Sequence, residues 1–251
     1  MANWDELWQK EENKQLGQGP SLRHKIRLVL ALIKKYSGGR KDIKILDVAC
    51  GSGVFLSILA SEYSQLYGVD RSQIGLEIAK KNCGICQFAV LDIEKESLPE
   101  EFDILTCMNA LEEMKNDESV LANMGRMLKT GGYLIIVTPH SMKYWTKKDE
   151  DALNFRRYEI NELADKCKKA GLEKVEIFTW GWPLFSFYYK FMAKVNQEKV
   201  LQETGSRFFG STMLTIGISF IQKILYRLFF FDDKFIRFNR GRVLFGVFKK
   251  T

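Results

Sequence analysis

Two acids, a closely spaced pair of glycines and an amide punctuate the first half of the chain where buried strands should end. Lys44-Ile-Leu-Asp-Val-Ala-Cys-Gly-Ser-Gly53 runs from an apolar strand into a glycine-spaced loop, and Val54–Ala60 continues as a helix-compatible run. Gly51 and Gly53 let the backbone turn sharply and approach a ligand closely, while N–H groups at the helix start can face an anion or a polar cofactor. On its own the loop also fits a plain strand-to-helix turn or a dinucleotide site, although the third glycine of Gly-x-Gly-x-x-Gly is missing. Asp47, inside the strand end, needs donors from loop N–H groups or from a cationic ligand. Asp70 closes Leu66-Tyr-Gly-Val69, 17 residues beyond Gly53, where an acid can accept hydrogen bonds from ribose hydroxyls.

These residues need a scaffold that brings strand ends together. Strands are expected at Cys86–Leu91, Phe102–Cys107, Tyr133–Val137 and Leu172–Trp180, separated by helical stretches and by a turn at Lys129-Thr-Gly-Gly132. Helices are expected over Ser72–Lys81, from after Asn109 to about Lys129, and over Tyr158–Ala170 with Leu163 and Cys167 inward. Such alternation argues a doubly wound parallel sheet covered on both faces, with ligands at the carboxyl ends of its strands. Asp47, Gly51, Asp70, Asp92 and Asn109 all fall on that rim. Ahead of it, Trp4–Gln15 reads as a short amphipathic helix, either packed on the core or acting as a flap. Ser21 is expected to cap a helix running to about Lys35 with Leu22, Ile26, Val29, Leu30 and Ile33 buried.

With 251 residues, 46% hydrophobic and 27% charged, the chain can hold one domain with a large core and is not a disordered polymer. Five cysteines, an odd number, suit a reducing, cytoplasmic setting. Cys83-Gly-Ile-Cys86 is half a zinc site at best and is expected to be two ordinary thiols. The opening Met-Ala-Asn-Trp-Asp-Glu shows neither a signal peptide nor a lipidation motif. The net charge of +7 is unevenly placed: residues 1–182 balance at −1, whereas 183–251 carry +8 together with crowded aromatics.

Taken in order, the motifs resemble the class I S-adenosylmethionine-dependent methyltransferases, in particular the small-molecule branch with ubiquinone-pathway O-methyltransferases. The matching pieces are Ile45-Leu-Asp-Val-Ala-Cys-Gly-Ser-Gly53, Gly68-Val-Asp70, Asp92-Ile93, Thr106-Cys-Met-Asn-Ala-Leu-Glu112, Leu128-Lys-Thr-Gly-Gly132 and Arg156-Arg-Tyr158. The resemblance implies a Rossmann-like, seven-stranded, mostly parallel sheet whose antiparallel last strand is Arg242–Phe248, with a helical insertion between strands six and seven. It also implies a methionine-side loop at Ala49, Cys50, Gly51, Ser52 and Gly53, ribose contacts at Asp70 and Arg71, and adenine flanked by Asp92 and Ile93. Met108, Asn109 and Leu111 would lie near the sulfonium, Asp47 beside the loop, and Arg23 near the cofactor carboxylate. Two habitual base histidines are replaced by Glu113 and Asn154, leaving Glu113 and His140 as the candidate catalytic bases. Glu112 and Glu113 could instead bind a divalent cation or form a solvated helix start; no metal is expected.

Residues 181–241 form the insertion, with residues 1–40 as covering helices, 41–180 as cofactor-binding core and 242–251 as last strand of a single domain. Trp182–Met192 and Phe208–Phe231 are apolar and aromatic, with Lys190/Lys194 and Lys223/Arg227 at helical spacing. The pattern describes amphipathic helices and not a span. These could cover the sheet, form a dimer contact, line a lipid-tail tunnel or bind a membrane surface, whereas a nucleic-acid groove suits such continuous apolar runs poorly. The function expected is methyl transfer, chiefly to oxygen, of a hydrophobic or lipid-linked small molecule. A non-catalytic cofactor- or lipid-binding protein on the same scaffold is the alternative, and a dehydrogenase is disfavoured.

Overall fold

Alternating apolar strands and one-face-apolar helices condense into a three-layer α/β unit in the computed structural model, which describes residues 19–191 and 221–251. The expected opening helix at Trp4–Gln15, and the parts of the apolar runs that fall in 192–220, lie outside the described residues. The elements are α1 (Pro20–Tyr36), β1 (Lys44–Val48), α2 (Val54–Leu59), β2 (Gln65–Asp70), α3 (Gln73–Asn82), β3 (Gln87–Val90) and β4 (Phe102–Met108). They continue as α4 (Asp117–Met127), β5 (Leu128–Pro139), α5 (Lys147–Asp151), α6 (Ile160–Lys169), β6 (Leu172–Trp180) and β7 (Val243–Lys250). Helical turns also occupy 184–191 and 221–238.

Seven strands lie in the order β3-β2-β1-β4-β5-β7-β6. The first five pair in parallel, and β7 runs antiparallel between β5 and β6. The chain order reverses between β1 and β4, so the crevice outside the β1 terminus is where a doubly wound sheet offers its ligand site. Near-continuous apolar strands make this possible, because both sheet faces are covered: Ile45, Leu46 and Val48 are inaccessible to solvent, as are Leu134, Ile135, Ile136 and Val137.

Local chemistry shifts several boundaries. Helix α1 begins at Pro20 with Gly19 as its cap and no side-chain cap bond from Ser21; proline is well placed at N1, where its missing N–H has no helical partner. The expected turn at Lys129–Gly132 lies inside β5, since Leu128 already pairs with Phe102 and the register shifts before Ile104. Tyr158 precedes α6 and is fully buried, its hydroxyl donating to Asp117 at 2.7 Å. The two expected free thiols are instead joined: Cys83 and Cys86 form a disulfide across the turn after α3, where their Cα atoms are 5.4 Å apart, within bridging reach.

The return into β7 is closed tightly. Gly241 donates its N–H to Thr179 Oγ1 at 3.0 Å, and its carbonyl accepts from His140 Nδ1 at 2.7 Å. A Cβ at Gly241 would collide with the Trp180 backbone carbonyl, which cannot rotate away. Gly241→Ala is therefore expected to cost about 1–3 kcal/mol or more, at roughly 2–4 °C of melting temperature per kcal/mol, readable in a thermal melt.

Candidate active site

A cavity of about 500 Å³ opens at the β1/β4 switch point. Its inner wall is the β1–α2 loop, where Ala49, Gly51 and Gly53 all have positive φ (57°, 51° and 69°). These alternating left-handed residues turn the chain sharply and bring its backbone against the cavity, while the N–H groups of Cys50, Gly51 and Gly53 are held by Val69 O, Asp70 Oδ2 and Cys50 O. Ala49 pays for that conformation, at about 1–2 kcal/mol for a side-chain-bearing residue, a form of strain that collects at ligand sites. Gly53 stands as the N-cap of α2, and a Cβ there would lie 2.9 Å from the Ala79 methyl, so the loop packs directly on α3.

Asp70 ties this loop to the β2 tip. Its Oδ2 accepts from Gly51 N at 2.8 Å and its Oδ1 from Ser72 N at 2.9 Å. The Arg71 N–H adds a third backbone donor, and the carboxylate, with about four acceptor sites in all, lines the cavity. Burial raises its pKa, although the backbone N–H bonds oppose the rise. Asp47 is 4% exposed, and the Thr106 hydroxyl on the adjacent strand, not a loop N–H, donates to its Oδ1 at 2.6 Å. The register Asp47↔Thr106 brings them face to face. With one hydroxyl against a fully desolvated carboxyl, burial dominates and pushes Asp47 up to about 7. Asp92 also lines the cavity, but its oxygens are engaged by Glu94 N at 3.2 Å and by Lys95 Nζ at 2.6 Å. Leu91 and Ile93 on either side present apolar surface at the same rim.

Opposite the glycine loop stands the β4 terminus. Asn109 has φ 52°, a conformation tolerated best by asparagine after glycine, and lines the cavity beside Met108 and Ala110. The following turn, Leu111–Glu113, carries two acids. Glu112 points inward, 2% exposed, accepting from Thr138 Oγ1 at 3.0 Å, and burial raises it to about 7. Glu113 faces the cavity, and burial followed by repulsion from Glu112 pushes it up to about 9. This favours the protonated carboxyl at neutral pH, a form that cannot take a proton from an acceptor.

The cavity thus gathers Asp47, Ala49, Cys50, Gly51, Ser52, Asp70, Arg71, Asp92, Ile93, Met108, Asn109 and Glu113. Four expected site residues are not in its wall. Gly53 and the fully buried Leu111 lie behind it, Arg23 is exposed on α1, and His140 is turned away. The imidazole of His140 donates to Gly241 O and lies 3.7 Å from Glu159, so it knits β5 to the strand return. Sequence reasoning missed Lys25, whose Nζ donates to Asn109 Oδ1 at 2.7 Å. It also missed the outer wall at Asp151, Ala152 and Leu153; Leu22 and Ile26 pack on the core as expected and border the cavity as well. Lys25 had a legible signal: it sits three residues after Leu22, on the same side of α1. Among the described residues no group of three or more His, Cys, Asp or Glu side chains is placed to hold a metal ion.

A profile of the methyltransferase domain family matches residues 40–204. The chain belongs to that family. Its methyl donor is S-adenosylmethionine, and the wall just described fits it: a glycine-spaced loop, the anchored Asp70 carboxylate, the buried Asp47 carboxyl, and apolar Leu91 and Ile93. The ubiquinone biosynthesis O-methyltransferase of Klebsiella pneumoniae (strain 342) is 33% identical over 122 residues, 46% of this chain and 50% of that protein. The Pseudomonas fluorescens (strain SBW25) protein of the same name is 26% identical over 180 residues, 63% of this chain and 77% of its own length. The chain thus spans between half and about three-quarters of these relatives. Among solved structures, phosphoethanolamine N-methyltransferase 2 of Haemonchus contortus, in complex with S-adenosyl-L-methionine, superposes with a TM-score of 0.59 at 20% identity. That match covers 88% of this chain and 51% of that one and speaks for the fold.

Proposed function

We propose that the protein transfers a methyl group from S-adenosylmethionine to an oxygen of a hydrophobic small molecule. The observation that carries this reading is the cavity's mixed lining: the glycine loop, Asp47 and Asp70 contribute polar groups, while Leu22, Ile26, Met114 and Leu153 contribute apolar surface. When bound, the donor supplies a sulfonium methyl, whose transfer forms an O–C bond while the C–S electron pair remains on sulfur. The chain's own work is orientation, which supplies much of the rate in a displacement of this kind. Asp70 would hold the ribose hydroxyls, Asp47 the α-ammonium, and the apolar residues the acceptor's carbon frame. The O-methyltransferase names of the two bacterial relatives support oxygen as the accepting atom.

Calorimetric titration with S-adenosylmethionine tests the reading. Asp70→Ala should weaken binding by roughly 10- to 150-fold, since hydrogen bonds to a charged group are worth about 1.5–3 kcal/mol. Undetectable binding by wild type at millimolar ligand would end it. A non-catalytic role is the second reading, favoured by Glu113 holding its proton; any acceptor turnover would remove it.

We further propose that the acceptor is collected at a membrane surface. No described helix is long and apolar enough to cross a bilayer. Phe187, Phe191, Phe230, Phe231 and Phe238 are each 41–71% exposed, however, and Lys190, Lys234, Arg237 and Arg240 are exposed among them. Phe231, Phe235 and Phe238 form a chain of ring contacts 5.2 and 5.8 Å apart, linked to Trp182. Aromatics with cations at the rim suit anionic lipid. Vesicles of phosphatidylglycerol should pellet the protein, less so at high salt, and Phe231→Ser with Phe238→Ser should cut binding by about tenfold or more. Wild type that stays in the supernatant would refute it.

A further inference from the structure

Beside the segment that forms the cavity's outer wall, the fold buries a cation that it does not neutralise. Arg242, the residue before β7, is 6% exposed, and its Nε and Nη1 have no hydrogen-bond partner. Native structures rarely keep a buried charged donor unpaired. Two rings flank the guanidinium, whose Cζ lies 4.6 Å from the centre of Tyr144 and 4.7 Å from that of Tyr189. The rings offset part of the cost of burial, but the N–H donors lie in the guanidinium plane and need oxygen atoms. The acids of the surrounding segment are already engaged. Asp149 is held by the Arg157 fork and by Thr146, Glu150 accepts from Trp145 Nε1 at 3.4 Å, Asp151 pairs with Lys147 at 3.4 Å, and Glu159 lies against His140. Burial and the repulsion of Arg157 lower the Arg242 pKa, yet an arginine stays charged. Lys143 and Lys148, both exposed, bring two further charges to the same tyrosines, with Nζ 4.9 Å and 5.1 Å from the ring centres.

We propose that Arg242, flanked by Tyr144 and Tyr189, is the receptor for a phosphate monoester group, whose oxygens take the unpaired N–H donors. A guanidinium matches phosphate oxygens in geometry, and a dianion balances the surplus of Arg242 and the two lysines better than a carboxylate's single charge does. Arg242 is not in the cavity wall, so this site is separate from the one that takes the methyl donor. Both tyrosines are half-buried and border solvent, which gives the approach. Because the two nitrogens are shut off from water, entry turns one of these rings aside. Tyr144 and Thr146 stand at the head of the segment that carries Asp151, Ala152 and Leu153 to the cavity, and Thr146 Oγ1 lies 3.3 Å from the Tyr189 hydroxyl. A phosphate held here therefore ties that segment to β7. It can arrive on a soluble molecule or on a lipid headgroup; the chemistry at Arg242 is the same.

The test follows the melting temperature of the full chain against inorganic phosphate, with sodium chloride at equal ionic strength as the control. Wild type should be stabilised saturably by phosphate, and Arg242→Met should bind it about tenfold or more weakly, the loss expected for hydrogen bonds to a charged group. Near-wild-type affinity of that variant for S-adenosylhomocysteine checks that it is folded. Lys143→Gln with Lys148→Gln should weaken phosphate roughly threefold or more; both side chains are exposed, so this pair decides the matter should Arg242→Met not fold. Two further probes separate the sources. Tighter binding of glycerol 3-phosphate than of inorganic phosphate supports a soluble monoester. Stronger pelleting with phosphatidic acid vesicles than with phosphatidylglycerol, a diester, lost in Arg242→Met, supports a lipid one. Wild type that ignores all of the monoester probes and phosphate overturns the proposal. An equal response in folded Arg242→Met, unchanged affinity in the lysine pair, or acetate that binds as tightly as phosphate does so too.

Discussion

Binding of S-adenosylmethionine should weaken by up to about tenfold for each pH unit below neutrality, and Asp47→Asn should remove that dependence. Asp47 is buried against one hydroxyl, and its pKa is raised to about 7 chiefly by desolvation. Below that value the unliganded protein holds the carboxyl neutral. An ammonium is attracted only to the ionised form, so binding below about 7 must first expel a proton, and affinity falls as the pH falls. Above about 7 the carboxylate already exists and the dependence flattens, until the ligand's own α-amino group deprotonates near 8. Calorimetry in buffers of different ionisation enthalpy should detect the released proton directly. Asp47→Asn keeps the shape and the Thr106 contact while deleting the charge. Its expected cost at pH 8 is about 2–5 kcal/mol, the penalty of leaving the other member of a desolvated charge pair without its partner. Asp70 also has a raised pKa, but the variant separates the two, because Asp70 is untouched. An unchanged pH slope in Asp47→Asn would assign the proton elsewhere.

Much of this site was legible before any coordinates, for a physical reason. Strands buried on both faces need unbroken apolar runs, so a polar residue ending such a run marks a strand tip; Asp47, Asp70, Asp92 and Asn109 announce the rim in this way. Charge state was not legible. Glu113 and Glu112 read as solvated or base-like acids, but both are desolvated in the fold, where Glu112 lies against Thr138 of β5 and near Lys25 of α1, a property of three dimensions. Position in sequence also fails to give side-chain direction: His140 follows β5 as expected, yet its imidazole turns to the strand return because Gly241 offers a carbonyl there. Lys25 meets Asn109 only because α1 lies against the end of β4. The disulfide is likewise a matter of approach, since the Cys83–Cys86 spacing allows free thiols, a metal ligand pair or a bond equally well.

Arg157→Met is expected to cost about 3–5 kcal/mol of stability and to loosen the outer wall of the cavity. Arg157 and Asp149 are 5% and 3% exposed at their side chains and meet through a bidentate fork, Nε to Oδ1 at 2.8 Å and Nη2 to Oδ2 at 2.9 Å. Asp149 also accepts from Thr146 N and Oγ1 and caps α5, so one carboxylate organises residues 146–157. That segment carries Asp151, Ala152 and Leu153 into the cavity. Arg157 and the Thr146 donors lower the Asp149 pKa against desolvation, so the pair's contribution is present above the ordinary aspartate range and fades as pH falls below it. Removing the guanidinium strands a buried charge, whereas neutralising both groups does not, so Arg157→Met with Asp149→Asn, which keeps an oxygen for the Thr146 donors, should recover part of the urea midpoint. Lysine should rescue only in part, because it cannot reproduce the fork. The glycine loop and Asp70 stand on the other side of the cavity, so cofactor affinity in the folded single variant should stay near wild type while acceptor turnover falls. If the double variant unfolds as early as the single one, the cost lies in the packing of the Arg157 stem and not in the orphaned carboxylate.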